Sequence, residues 1–392
     1  MRLSPLVSLF VGLITLSCTS LGNAQPRQAL GLDAEELRVP QIKQQLPHLL
    51  HPFTTERIDA LSAINSSMNE QAYLAHADAE GNRLWKEAVT WVQQQHWDDR
   101  PLYWSRLALR GELKQQSPQF RASPIQRRMA LNAFELSSRG ISDLAFTQHT
   151  DFKILLTGFD PFLLDRHIDQ SNPSGLAALA LDGKVIELNG KTAEIQTVMI
   201  PVRFEDFDDG LIESILSPYL STNSVDLITT VSMGRSDFDL ERFPGLNRSA
   251  TAPGNRNILT GANAQNPITP QLESKPLQGP EFVEFSLPVE AMQRVIGRWE
   301  INDNHQVQTL EQGKFAANNL LELQGQTSVQ GSGGGYLSNE ISYRSIRLAN
   351  LLGSTVPLGH IHTPRIAQYE ADTARDIVAQ IEAMLAQAIT AL

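Results

Sequence analysis

The sequence predicts an α/β protein: a largely parallel sheet flanked by helices on both faces, preceded by a helical N-terminal domain. Three observations carry this. Short apolar runs at residues 153–157, 195–202 and 226–231 alternate with segments of helical spacing, the pattern of a parallel sheet covered on both sides. Asn172-Pro173-Ser174 follows the first run and supplies an N-cap and a proline at the first helical position. Five residues, Gly331 to Gly335, carry four glycines between a β-type run at 327–329 and a helical pattern after it.

The 392 residues suffice for two domains, and 41% hydrophobic with 19% charged residues fits a globular chain. A net charge of -11 argues against nucleic-acid binding, which wants a basic face. Residues 1–24 read as a signal peptide. Met1-Arg2 is a positive start, residues 5–16 are apolar, and Gly22-Asn23-Ala24 is a small-residue cleavage site. The apolar run is too short to span a membrane as a mature helix. The expected location is periplasmic or secreted. Cys18 is the single cysteine, and Leu16-Ser17-Cys18 leaves a lipid anchor open.

Residues 25–150 are expected to form a helical accessory domain. Ile58, Leu61 and Ile64 are spaced for one helix face. A second helical run covers about residues 70–95, with a break expected at Gly81. A third follows Asp99-Arg100-Pro101, and a fourth covers 125–136. Trp85, Trp91, Trp97 and Trp104 read as anchors of helix packing rather than a ligand platform. His48 and His51 lack further ligands at metal spacing. Residues 137–150 read as a linker.

In the α/β domain, 151–392, the run at 153–157 is the first strand and Gly158 to Phe162 turns out of it. Residues 195–202 and 226–231 are the next strands, with a helix over 207–216 between them. Residues 297–326, polar around Asn302-Asp303-Asn304-His305, read as a surface insertion. The glycine-rich stretch then opens a helix with Leu337, Ile341, Leu348 and Leu352 on one broad face. A side chain there projects among free N–H groups, which suits a nucleophile and an oxyanion hole. Residues 355–364 form the last strand, where His360 and His362 share one face. No third ligand accompanies this pair, so no metal or other cofactor is expected. A helix over 367–392 follows, with Ile377, Ile381, Met384, Leu385 and Ile389 inside.

Ser332-Gly333-Gly334-Gly335-Tyr336-Leu337-Ser338-Asn339, with Tyr343 beyond, resembles the nucleophile segment of pyroglutamyl peptidase I (pyrrolidone-carboxylate peptidase). That family reads S-x-S-A-G-x-Y-L-C-N-x-x-x-Y, and Ser338 stands where it carries its catalytic cysteine. Gly158-Phe159-Asp160-Pro161-Phe162 with Asn172-Pro173-Ser174 resembles the family's T-G-F-x-P-F-G-G and N-P-S. Leu163-Leu164-Asp165-Arg166 replaces the paired glycines. Gly234-Arg235 with Glu241-Arg242 and Asn247 is similar to G-R-x-x-x-x-x-E-R-x-x-x-N, and Gly359-His360-Ile361-His362-Thr363-Pro364 to G-F-I-H-V-P. An arginine that the family places before its P-D-N motif is missing; Arg248 is the nearest candidate.

The resemblance implies a phosphorylase/hydrolase-like fold and removal of N-terminal pyroglutamate from peptides. It implies Ser338 as nucleophile, His362 as base and Glu241 as the third triad member. Phe159, Phe162 and Tyr336 would meet the pyrrolidone ring. A hydroxyl also resists the oxidation that threatens an exposed low-pKa thiol outside the cytoplasm. Three readings stay open at this point: a serine-dependent hydrolase, an inert binder of pyroglutamyl or related peptides, and a scaffold whose helices bind a partner. A homo-oligomer is also open.

Overall fold

The computed structural model describes residues 30–142 and 144–392; the expected signal peptide and Cys18 lie outside them. The helical region contains α1 (Val39–Gln45), α2 (Thr54–Asn65), α3 (Glu70–Gln93), α4 (Arg100–Gln115) and α5 (Pro124–Ser137). Asn69 caps α3 through its side chain, and Ser123 with Gln126 forms a capping box on α5. The break expected at Gly81 is absent, and α3 runs straight through it. Its lack of a side chain serves packing instead: a Cβ there would lie 1.9 Å from Ser137 Oγ and 2.7 Å from the Phe134 carbonyl of α5. Ile58 shared the apolar spacing of α2 but is 63% exposed, while Ala60 and Ile64 are buried. Trp85 and Trp104 are fully buried core residues.

The α/β region begins with β1 (Phe152–Phe159), α6 (Pro173–Leu181), β2 (Val185–Leu188) and β3 (Lys191–Ile200). α7 (Phe204–Asp208), α8 (Leu211–Thr222), β4 (Leu227–Met233) and β5 (Phe238–Glu241) follow. The helix expected over 207–216 is therefore two helices, parted at Gly210, whose φ is +81°. A small hairpin, β6 (Gln271–Leu272) and β7 (Lys275–Pro276), precedes α9 (Val289–Met292), β8 (Ile301–Asn304), β9 (Gln306–Thr309) and β10 (Gly313–Ala316). The chain ends with β11 (Ser328–Gln330), α10 (Leu337–Leu352), β12 (Leu358–Thr363) and α11 (Ala371–Ala388).

Seven strands form the main sheet in the order β2-β3-β1-β4-β12-β5-β8. The four central strands are parallel; β2 joins β3 and β5 joins β12 antiparallel. Helices α6 and α11 lie on one face, α8 and α10 on the other. That explains the all-apolar strands: Ile154, Leu155, Leu156, Ile195, Leu227, Ile228 and Ile361 have no exposed surface. The inner stripe expected on the last helix is fully buried. Leu352, at the end of α10, turns out to be 43% exposed.

Two expectations change. Residues 297–326 are not simply a surface insertion. Strand β8 pairs in parallel with β5 and completes the main sheet, and β9 carries β10 and β11 as a second, antiparallel sheet. Nor are residues 137–150 a free linker: Ser137, Ser138 and Arg139 are buried. The helical region shares one apolar core with the sheet, and ion pairs seal the seam. Glu135 of α5 meets Arg110, Arg139 and Arg203 within 3.2 Å. Burial alone would raise that carboxyl; the three guanidiniums override it and hold it well below the ordinary carboxylate range.

Candidate functional site

Tyr336 is the N-cap of α10, so Ser338 sits in its first turn, where backbone N–H groups have no intrahelical partner. The Ser338 hydroxyl donates to the Gly333 carbonyl at 3.3 Å. The loop before it is rigidly held. Ser332 exchanges hydrogen bonds with Phe243, its Oγ accepting from the Phe243 N–H at 2.9 Å. The Asn339 side chain brackets Gly245, accepting from its N–H at 2.9 Å and donating to its carbonyl at 2.7 Å. Arg248, the candidate for the missing substrate arginine, is committed elsewhere: it grips Glu340 at 2.6 Å and Asp208 at 2.9 Å.

Glu241 ends β5, and His362 lies on the neighbouring β12. The two meet through Nδ1 and Oε1 at 2.5 Å, with Glu241 fully buried. Burial pushes the Glu241 carboxyl up; the His362 ring opposes that. The other carboxylate oxygen accepts from Asn304 Nδ2 at 2.8 Å. Asn304 is the register partner of Glu241 on β8, and Nδ2 also donates to the Ser332 carbonyl at 3.1 Å. Its Oδ1 accepts from the Gln306 N–H at 3.1 Å, which fixes which way the amide faces. One side chain thus links the carboxylate to the glycine-rich loop. Sequence reading missed it, because it lies in the polar stretch read as an insertion. No hydrogen bond joins Ser338 to His362 in this structure.

A small cleft of about 30 Å³ opens at the C-terminal ends of the central strands. Phe159, Phe162, Tyr336 and Ser338 all line it, with Asn172 and Ser232. Phe159 stacks on Phe207 at 6.4 Å, and Tyr336 stands edge-on to Phe204 at 5.2 Å. The Tyr336 hydroxyl donates to the Pro253 carbonyl at 2.8 Å. His362 itself is the register partner of Ser232. The rim loop that replaces the paired glycines is anchored by the helical region. Leu164 is buried among Val39, Leu49, Tyr103, Trp104 and Leu107, and Asp165 pairs with Arg38 at 2.6 Å. Leu163 adopts a left-handed φ of +61° to make that turn.

His360 is a satisfied core residue. Its Nδ1 meets Thr230 Oγ1 and its Nε2 meets Ser232 Oγ, each at 2.8 Å. Burial, with the His362 ring second, holds its pKa well below the usual histidine value, so the ring is neutral. Among the described residues no group of three or more His, Cys, Asp or Glu side chains could cage a metal, and no helix is long and apolar enough to cross a membrane.

Asp99, just before α4, holds the cleft wall from behind. It accepts from Ser171 Oγ at 2.5 Å and from the Asn172 N–H at 3.0 Å. Burial, then the neighbouring Asp98 charge, pushes its carboxyl up to about 7 from 3.8. The native state therefore keeps a proton that the unfolded chain releases above pH 4. The resulting stabilisation is complete below about pH 3.8 and is lost as pH rises through 7, by on the order of 2–4 kcal/mol. Asp99→Asn mimics the protonated form and is predicted to lack this dependence. Denaturant unfolding from pH 5 to 8 should show the variant gaining on the parent as pH rises; a constant difference would refute the prediction.

Residues 153–318 and 297–367 match the family model described as PA0049, C-terminal domain, and residues 25–135 match PA0049 N-terminal domain. The uncharacterized protein PA0049 of Pseudomonas aeruginosa is 26% identical over 385 residues, covering 74% of this chain and 69% of that protein. Among solved structures, two mutants of the pyrrolidone carboxyl peptidase of Pyrococcus furiosus are similar, with 20% and 21% identity. Each match has a TM-score of 0.42 and covers 61% of this chain and 99% of the other.

Proposed function

This chain belongs to the PA0049 family, and from that premise we propose that it is an amide hydrolase of the pyroglutamyl-peptidase type, acting outside the cytoplasm with a serine nucleophile. The observation that carries the reading is the buried Glu241–His362 pair, which does not itself line the cleft but is in register, through His362, with Ser232 of the wall that Phe159, Phe162, Tyr336 and Ser338 share. Its motifs resemble those of the peptidase, with Ser338 where that family carries cysteine, Leu163-Leu164 in place of the paired glycines and one arginine missing.

The chemistry follows from the chain's own groups. Glu241 holds the proton of His362 on Nδ1, so Nε2 is free to act as base. The Ser338 hydroxyl turns from the Gly333 carbonyl toward Nε2 and attacks the carbonyl carbon of an N-terminal pyroglutamyl amide. His362 takes the hydroxyl proton and passes it to the leaving amine. The negative oxygen of the tetrahedral intermediate is met by the Ser338 N–H and a neighbouring loop N–H. Water then attacks the acyl-enzyme by the same route in reverse, releasing pyroglutamate.

The test is release of the amine from a pyroglutamyl anilide by the full chain. Hydrolysis should fall by about 10³-fold or more in Ser338→Ala. Activity that survives this substitution would remove Ser338 from the mechanism. A second reading has one observation behind it: the hydroxyl bonds to Gly333 and not to His362. The site then binds pyroglutamyl peptides without cutting them, and only Ser338→Cys, whose thiol ionises readily, gains hydrolysis.

A further inference from the structure

Proton direction can be followed along one buried chain behind the cleft wall. Thr230 Oγ1 lies 3.3 Å from the Gly359 carbonyl, which can only accept. Thr230 Oγ1 is also 2.8 Å from His360 Nδ1, so the chain can run in two directions. The one taken here places the Thr230 proton on Gly359 and leaves Thr230 as acceptor toward Nδ1. The neutral ring then carries its hydrogen on Nδ1 and presents a lone pair at Nε2. In that direction Ser232 Oγ, 2.8 Å away, donates to it. The Ser232 proton is thereby held inward, and only its lone pairs face the cleft.

The other polar side chains of the cleft are committed in the same sense. Ser338 donates to Gly333 and Tyr336 to Pro253. Asn172 gives its Nδ2 to the Asp160 carbonyl at 3.0 Å, and its Oδ1 accepts from Ser174. The hydroxyls of the wall thus present lone pairs, while Asn172 keeps a second Nδ2 hydrogen beyond the one given to Asp160. A ligand ring with an N–H satisfies such a wall; a ring with only carbon there leaves the acceptor unmet.

Resting on the pyroglutamyl reading above, we propose that Ser232 is a specificity residue whose oxygen accepts the ring N–H of the ligand and so selects lactams over carbocycles. His360 and Thr230 act through Ser232 as positioning residues.

The experiment compares binding of pyroglutamate and 3-oxocyclopentane-1-carboxylate, the same ring with methylene for N–H, by calorimetry on the full chain. The parent should prefer the lactam by about tenfold, and Ser232→Ala should reduce the preference to about twofold or less. An unchanged preference in Ser232→Ala overturns the proposal. A parent that binds neither ring overturns the pyroglutamyl reading and the ligand assignment with it. A second measurement does not depend on ligand: nitrogen-15 shifts of His360 should report the Nδ1–H tautomer, and the Nε2–H form would overturn the proton direction on which Ser232 depends.

Discussion

Glu241→Gln is expected to lower kcat of the proposed hydrolysis by about 10³–10⁴-fold and to leave the fold intact. The reason lies in Asn304 as much as in His362. The Asn304 amide cannot turn over without facing its Nδ2 against the Gln306 N–H, so it keeps donating toward residue 241. A glutamine there must point its oxygen at Asn304 and its amine at His362 Nδ1. The imidazole then carries its hydrogen on Nε2, the atom that has to receive the serine proton. Binding of pyroglutamate should change little, because the cleft walls are untouched. Stability should also change little, since a fully buried carboxyl whose pKa burial has raised is replaced by a neutral group. Kinetics and thermal melts of the purified variant check both halves. A loss of less than tenfold in kcat would show that the tautomer of His362 does not limit the reaction.

Much of this architecture was written locally. β1 and β4 are buried almost throughout, with no alternation of exposed residues, because helices cover both their faces. α6 was legible from Asn172 and Pro173, and Asn172 does cap it by accepting from the Ser174 N–H. What escaped reading depended on partners far away in the chain. Gly81 looks like a break in isolation and is a contact surface once α5 lies across it. Asn189-Gly190 is a strong hairpin signal that was passed over; both residues have positive φ and join β2 to β3. At the site, Ser338, His362 and Glu241 were reached through a family resemblance, since spacing alone gave no triad. Burial of Glu241 could not be read from a charged residue next to Arg242. Asn304 had no signal at all, because its role is created by a strand pairing that a polar sequence does not announce.

The helical region has a second physical consequence, tested at Asp160. This residue follows Phe159 and is 1% exposed. It meets Arg106 of α4 at 3.0 Å and Arg139 at 2.7 Å, both buried. Asp160→Ala leaves two guanidiniums facing each other without their shared carboxylate, at an expected cost of about 3–5 kcal/mol. In melting temperature that is a fall on the order of 10 °C. Removing the cross-seam partner as well, in Arg106→Met with Asp160→Leu, should recover most of the loss, because well-packed apolar groups replace a pair that was costly to bury. Arg139 retains Glu135 at 2.7 Å in that double variant. The Asp160 carbonyl also accepts from Asn172, and the next two residues lead to Phe162 at the cleft. A shift in this turn should therefore weaken binding of pyroglutamate more than it lowers the rate of bound substrate. A melting temperature within 2 °C of the parent, measured for Asp160→Ala by calorimetry, would mean that solvent reaches the two arginines and that the seam is not sealed by charge.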